Sequence, residues 1–196
     1  MVHNYGDHLS DEELVALCKK RLPDDPRPFA VLVRRYQRQV LATCFRMLGD
    51  WQEAEDQAQE VFIRVYRGIR HFEGRAKFST WLFQVAINTC RTALKKRARR
   101  PKVDENSLLS LEMALASPTT TEEAAFAQIE IEMVTRAFQT LSEDERIILT
   151  LRETDGLSHQ EIAQVLDIGL SAAKMRVMRA RLAWQHAYQI LLGEKK

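Results

Sequence analysis

The sequence predicts an all-α protein made of two small helical modules joined by a flexible linker. Glycine and proline are scarce, at seven and five of 196 residues, and this composition favours helices. Apolar residues recur at three- and four-residue spacings through most of the chain. Three capping boxes, each a serine followed three residues later by a glutamate, mark helix starts at Ser10, Ser142 and Ser158.

The first two helices are bounded by clear signals. The first begins at the capping box of Ser10 and ends before Pro23, because proline cannot continue a helix. The second carries an apolar stripe from Phe29 to Leu48, and Gly49 ends it.

The third and fourth helices complete a module predicted to span residues 10–100. Asp50 starts the third helix, whose apolar face runs to Ile69. A loop follows from His71 to Phe78. The fourth helix begins near Ser79, turns Trp81 towards the core, and ends in a run of basic residues.

The middle of the chain loses this periodicity. Residues 101–121 contain Pro101, Pro118 and scattered acids, which predicts a linker. Helical spacing returns at Glu122 and continues to the end of a second module, predicted to span residues 122–192.

Charge is segregated along the chain. Residues 50–60 carry five acids and no base, residues 61–102 hold twelve Lys or Arg against one acid, and residues 103–132 hold seven acids and no base. Phosphate neutralisation supplies most non-specific affinity for nucleic acids. The basic block therefore indicates a polyanionic partner, whereas a solvated surface would mix its signs.

Several function classes are disfavoured by composition. No stretch approaches 18 apolar residues, so no membrane insertion is expected, and the N-terminus lacks the pattern of a secretory signal. The scattered Cys18, Cys44 and Cys90 are interpreted as reduced core thiols. Motifs for metalloprotease, nucleotide-phosphate or serine-hydrolase chemistry are absent and the histidines are dispersed, so we expect no enzyme activity, metal or cofactor.

A helix-turn-helix is predicted in the second module. A short helix after Ser158 leads through a tight connection, Asp167–Leu170, into a longer basic helix. The stripe from Ala173 to Trp184 packs inward and leaves the basic residues outward, where they can reach the DNA major groove. Taken alone, this pattern is also compatible with a helical hairpin that has a solvated basic face.

These motifs resemble a known family. Gly156–Ala163 and Ala173–Arg181 resemble region 4 of extracytoplasmic-function sigma factors, Ala54–Phe62 resembles their region 2.2, and Phe78–Asn88 resembles their regions 2.3 to 2.4. The resemblance covers roughly residues 10–192, with both motif sets in the family's order. It implies a protein that binds core RNA polymerase, places it at promoters and opens the first base pairs.

The resemblance assigns three sets of contact residues. The clamp helices of the largest polymerase subunit would meet Asp56, Gln59 and Glu60. The −10 element would be bound, with a flipped base held in a pocket, by Phe72, Arg75, Lys77, Phe83, Asn88, Arg91, Lys95 and Lys96, the basic residues tracking phosphates. The −35 element would be read by Ser171, Lys174, Met175, Arg176, Met178, Arg179 and Arg181.

The −35 set departs from the family pattern. Ser171-Ala172-Ala173 stands where many members have Gly-Thr-Val, and Met175 stands where a small hydroxyl residue is frequent. The loss of polar groups puts the usual −35 sequence in doubt, although Lys174, Arg176 and Arg179 keep the basic contacts.

The resemblance also implies partners and a location. The partners are core RNA polymerase, through the clamp helices and the flap of the second-largest subunit, promoter DNA, and an anti-sigma protein, with no small-molecule substrate. The location is the bacterial cytoplasm, with retention at the membrane through the anti-sigma partner. Two alternatives stay open: a conventional helix-turn-helix regulator that binds duplex DNA as a dimer without polymerase, and a helical adaptor that binds only protein.

Overall fold

The computed structural model describes Gly6, residues 8–98 and residues 133–193 of the chain. All regular structure in these residues is helical, as predicted. The first module consists of α1 (Asp11–Arg21), α2 (Arg27–Leu48), α3 (Trp51–Gly68), a short 3₁₀ helix (Ile69–His71) and α4 (Phe78–Ala98).

The second module begins, within the described residues, with helical residues 133–139. It continues with α5 (Glu143–Leu149), a π-helical turn (Thr150–Thr154), α6 (His159–Leu166) and α7 (Leu170–Gly193). The predicted linker 101–121 and the predicted helix start at Glu122 lie outside the described residues.

All three predicted capping boxes are present. In the third, the Ser158 hydroxyl accepts a hydrogen bond from the backbone N–H of Glu161 at 3.2 Å, and the Glu161 carboxylate accepts one from the backbone N–H of Ser158 at 2.8 Å. Local sequence also sets the end of α2, because Gly49 adopts a left-handed φ of 74° that a side chain would disfavour. Local sequence chemistry therefore fixes these helix ends.

The core of the first module lies between α2, α3 and α4. Helices α2 and α3 pack on each other, and Val40 and Cys44 of α2, like Ala54 and Val61 of α3, have no solvent exposure. The three cysteines are free and buried, as predicted. Burial raises the pKa of the Cys18 thiol to about 11, so this cysteine stays protonated and packs as a small apolar residue.

The second module has the predicted helix-turn-helix. Ala173, Val177 and Ala180 are buried along one side of α7, against α5 and α6. Between α6 and α7 the chain turns at Asp167, which adopts a left-handed φ of 51°. Aspartate tolerates that conformation better than most residues, so the left-handed position of the turn does not require glycine.

The two modules pack on each other, which the sequence analysis did not predict. Helix α4 packs against α6, and α2 packs against the π-helical turn and α5, so that the buried residues form one continuous cluster. Ile87 and Cys90 of α4 are both buried, and Cys90 lies beside Cys44 of α2, within the first module. A helix covered on two sides has no single apolar face for periodicity to reveal.

Candidate nucleic-acid interface

A cleft of about 510 Å³ lies between α1 and the loop that precedes α4. Lys19 of α1 contributes one wall, and Phe72 and Lys77 contribute the other. The Lys19 ammonium donates a hydrogen bond to the carbonyl of Phe72 and lies 5.9 Å from the centre of its ring. The cleft therefore combines an aromatic face with positive charge, the combination that suits an unstacked base and its phosphate.

Phe72 is supported from below by other rings. It stacks on Trp81 with centroids 4.9 Å apart and an interplanar angle of 28°, and it meets the buried Phe78 edge-on at 6.3 Å. Trp81 packs against the core, as its place on the helical stripe predicts. Phe72 is thus held at the surface on a rigid aromatic base.

The remaining predicted −10 residues are divided between surface and core. Asn88, Lys95 and Lys96 are exposed on α4. The side chain of Arg75 is 85% exposed and pairs with Glu73 at 2.5 Å. Phe83, by contrast, is only 1% exposed, so its ring does not reach the surface in this arrangement, and its contact with a base stays a prediction. Its ring fills the core because α4 is covered on two sides.

Two cations of this set are paired with the second module. The Lys77 ammonium lies 2.8 Å from the Glu161 carboxylate, and the Arg91 guanidinium lies 3.3 Å from Asp144 and 3.8 Å from Glu143. The hydrogen bond from Lys77, with those of the capping box, lowers the pKa of Glu161 to about 2, and the same pairing raises the pKa of Lys77. Glu161 is therefore ionised at neutral pH.

The outer face of α7 carries the predicted −35 residues. Met175 and Met178 are 45% and 48% exposed, on the side opposite the buried Val177. The exposed basic residues surround them: Lys174, Arg176, Arg179 and Arg181, with Ser171 at the start of the helix. Arg181 is already engaged, since its guanidinium pairs with Glu153 at 2.6 Å.

The acidic face of α3 is turned away from the core. Asp56 and Gln59 are exposed, and Glu60 forms an i,i+4 pair with Arg64 at 2.7 Å. Ile63, which is not among the residues predicted from the sequence, is 44% exposed on the same side. Its position outside the apolar stripe of α3 was the signal that could have identified it. The face thus combines negative charge with an apolar group, as a protein-binding surface does.

Other kinds of site are not found in the described ranges. Residues 8–98 and 133–193 contain no cluster of His, Cys, Asp and Glu that could hold a metal ion. Within the same part of the chain, no helix has both the length and the apolar character needed to cross a bilayer.

Two family models match the chain. The model described as Sigma-70 region 2 matches residues 32–100, and the model described as Sigma-70, region 4 matches residues 131–183. The first match contains the acidic face of α3, the cleft loop and α4, and the second contains the helix-turn-helix.

Similar proteins extend the match to almost the whole chain. The RNA polymerase sigma-H factor of Pseudomonas aeruginosa is 38% identical over 192 residues, which cover 95% of this chain and 99% of that protein. The ECF RNA polymerase sigma-E factor of Escherichia coli K12 is 33% identical over 95% of this chain and 98% of that protein.

Two solved structures share the fold. One is CnrH in complex with the cytosolic domain of CnrY, with a TM-score of 0.64 and 20% identity over 95% of this chain and 99% of that chain. The other is the sigma factor RpoE in complex with the anti-sigma factor NepR from Bartonella quintana, with the same score and identity over 83% and 97%.

Proposed function

The chain belongs to the extracytoplasmic-function group of sigma-70 family RNA polymerase sigma factors, and from this premise we propose which of its surfaces bind polymerase and promoter. It is a transcription initiation factor that directs RNA polymerase to promoters, not an enzyme. The observation that carries this is 38% identity to a sigma factor along 95% of the chain. The conventional-regulator alternative is not favoured, because it leaves the first module without a purpose.

The cleft beside Phe72 receives a base of the −10 non-template strand. Stacking on an aromatic ring is worth about 1–3 kcal/mol per base, which is comparable with the few kcal/mol that extruding a base costs. Binding can therefore drive local strand opening without ATP. Arg75, Lys77, Arg91 and Lys95 follow the phosphates on either side, and Asn88 pairs with a base edge.

The −35 element is read by the outer face of α7 in the major groove. Lys174, Arg176 and Arg179 contact phosphates or guanine edges. Met175 and Met178, which form the centre of this face, contact thymine methyl groups, because an apolar side chain has no hydrogen bond to offer a base edge. Arg181 acts at the rim of the surface, since Glu153 already neutralises it.

Core polymerase binds the acidic face of α3. Asp56, Gln59 and Glu60 face the clamp helices of the largest subunit, and Ile63 adds an apolar contact. Complementary charge orients the two partners and speeds their encounter more than it adds affinity. The second module meets the flap of the second-largest subunit. The proposed boundaries are residues 10–100 for the first module, 101–121 for the linker and 122–192 for the second module.

An anti-sigma protein completes the proposal. RpoE, whose fold this chain shares, is bound to an anti-sigma factor, and we expect a protein of this class to hold the chain inactive in the bacterial cytoplasm or at its membrane. The measurement is inhibition of transcription with purified components, after recovery of the protein that co-purifies with the chain from its host.

The experiment that tests the function uses core RNA polymerase freed of any sigma factor. The purified chain is added with a library of randomised promoters, and run-off transcripts are sequenced beside a DNA-binding assay without polymerase. We expect promoter-specific transcripts only when the chain is present. Tight duplex binding without polymerase, and no transcripts with it, would favour the conventional regulator instead.

A further inference from the structure

Helix α1 forms the wall of the cleft that faces the loop of Phe72. The residues of α1 that line it are Glu12, Val15, Ala16 and Lys19. Residues separated by three, four and seven positions share one face of a helix, so these four form a single stripe along the cleft. The stripe has a hydrogen-bond acceptor at one end, a donor at the other, and small apolar groups between them.

Lys19, at one end of the stripe, ties α1 to the aromatic platform. Its ammonium donates to the backbone carbonyl of Phe72 and lies 5.9 Å from the centre of the ring. The ring is therefore fixed to α1 on one side and stacked on Trp81 on the other. An ammonium has three N–H donors, so this bond does not exhaust its capacity to donate to a base.

Glu12 gives the other end of the stripe the opposite character. It is exposed in the first turn of α1. The pKa of Lys77 is raised by its hydrogen bond to Glu161 and, to a lesser degree, by the charge of Glu12, which therefore lies near the loop. A carboxylate accepts hydrogen bonds and does not donate them. It attracts the exocyclic amino group of cytosine or adenine, and it repels the carbonyl oxygen that thymine or guanine carries at the corresponding position.

We propose that α1 selects the base that enters this cleft: Lys19 positions the ring of Phe72 and donates to the stacked base, and Glu12 accepts a hydrogen bond from its exocyclic amino group. The site then prefers cytosine or adenine to thymine or guanine. This inference rests on the proposed function, which places a −10 base beside Phe72. Helix α1 precedes residues 32–100, the part of the chain that the region 2 model matches.

The dimensions of the cleft suit a single base. Its volume of about 510 Å³ lies within the range of roughly 300–1,000 Å³ that is usual for small-ligand sites. Glu12 and Lys19 are seven residues apart, which is about 10.5 Å along α1 at ~1.5 Å per residue. Two hydrogen bonds of ~2.9 Å leave about 5 Å of this length for the base between them. Ala16, between the two charged ends, is small enough to leave that space open.

Two pairs of neighbouring substitutions separate the stripe from the rest of α1. Glu12→Gln removes the carboxylate and keeps the shape. Glu13→Gln makes the same change one residue further on, and glutamine there preserves the capping box of Ser10. Lys19→Gln and Lys20→Gln are matched in the same way. Glu13 and Lys20 are exposed and lie off the stripe, about 100° around the helix.

Promoter selection by the full chain with core polymerase measures the base preference. Wild-type, Glu12→Gln and Glu13→Gln holoenzymes transcribe the same randomised library, and the base frequencies in the −10 element are compared. At one −10 position the wild type should favour cytosine or adenine over thymine by about 3- to 10-fold, the range for one hydrogen bond. Glu12→Gln should abolish this preference, because an amide both donates and accepts, and Glu13→Gln should keep it.

Binding of a fluorescent single strand that carries the selected −10 element measures the role of Lys19. Lys19→Gln should weaken binding by about 3- to 10-fold, and Lys20→Gln corrects for the general loss of one positive charge. Lys19→Arg keeps a charged donor and should restore binding. Equal losses in Lys19→Gln and Lys20→Gln would overturn the role of Lys19.

The same transcription experiment separates this inference from the proposed function. Absence of transcripts with the wild-type chain and core polymerase would overturn the proposed function. Normal transcripts whose −10 bases are the same for the wild type and Glu12→Gln would overturn base selection by Glu12 alone. Enrichment of thymine or guanine at the position that responds to Glu12→Gln would overturn it as well.

Discussion

The hydroxyl of Thr43, on α2, lies 3.1 Å from the carboxylate of Asp155, which follows the π-helical turn of the other module. Thr43 also lies 2.9 Å from the carbonyl oxygen of Gln39, and its single proton cannot serve both acceptors. When Asp155 is ionised, Thr43 can donate to only one of the two acceptors; when Asp155 is protonated, it can donate to Thr43 while Thr43 donates to Gln39. Burial raises the pKa of Asp155 to about 7, against opposing effects of Thr43 and Arg46.

The contact between the modules should therefore weaken as pH rises from 6 to 8. A raised pKa means that the packed state binds the proton more tightly than the open state, so the contribution of Asp155 is complete below its ordinary pKa and is lost as pH passes about 7. The Glu161–Lys77 pair does not titrate in this range, since the pKa of Glu161 is about 2. We expect a larger radius of gyration at pH 8 than at pH 6.

Asp155→Asn is the matched control for this pH effect. Asparagine keeps the shape and a hydrogen-bonding group for Thr43, and it cannot ionise beside Arg46. The variant should stay compact at both pH values. If it expands as much as the wild type does, Asp155 is not the source of the change.

Two leucines give a prediction for stability. Leu82 of α4 has no exposure, whereas Leu182 of α7 is 56% exposed. Leu82→Ala should lower the free energy of unfolding by about 2–5 kcal/mol, because it removes apolar contacts and leaves a cavity. Leu182→Ala should change it by less than about 0.5 kcal/mol. Urea denaturation followed by circular dichroism checks both, and similar losses for the two variants would contradict the buried position of Leu82.

The proposed contacts of Met175 and Met178 with thymine methyl groups predict that removing those methyl groups weakens binding of the −35 element. Replacing thymine by uracil in the selected −35 element removes only the methyl groups, and it should weaken duplex binding by the wild-type holoenzyme several-fold. In Met175→Ala, Met178→Ala holoenzyme the same replacement should have little further effect, because the apolar partner is gone. Equal sensitivity of both proteins to uracil would show that other groups read the methyls.

The aromatic ring of Phe72 should be required for strand opening, because a base of the −10 strand is proposed to stack on it. Phe72→Ala should weaken binding of the −10 single strand by about 1–3 kcal/mol, the range for loss of one stacked base. Phe72→Tyr keeps the aromatic face and should bind nearly as the wild type does. Permanganate reactivity of promoter thymines in the holoenzyme complex measures the opening. Normal reactivity with Phe72→Ala would exclude this ring as the stacking platform.

Charge reversal tests the polymerase surface. Asp56→Lys should reduce the affinity of the chain for core polymerase at least tenfold, since it places a cation against a basic partner. Asp24→Lys, at an exposed site in the turn between α1 and α2, is the matched control and should bind normally. Fluorescence polarisation of labelled protein measures both, and an equal loss in the two variants would indicate a general charge effect.

Much of the fold follows from local sequence. Ser10, Ser142 and Ser158 mark their helices because capping depends on a few neighbouring residues. The alternation of Ala173, Val177 and Ala180 identifies the buried side of α7 because a helix repeats every 3.6 residues. Membership of the family is equally visible, because the motifs of both regions occur in the family's order.

Phe83 and Asp155 mark what the sequence alone did not determine. Phe83 was expected at the DNA surface, yet it is buried in an α4 that packs against helices of both modules. Asp155 gave no local signal, and its high pKa arises from burial, which Thr43 and Arg46, far away in sequence, only partly offset. Sequence by itself determined the helices, their order and the family. Only the tertiary structure decided which charges meet, because contacts between modules depend on residues that share no local pattern.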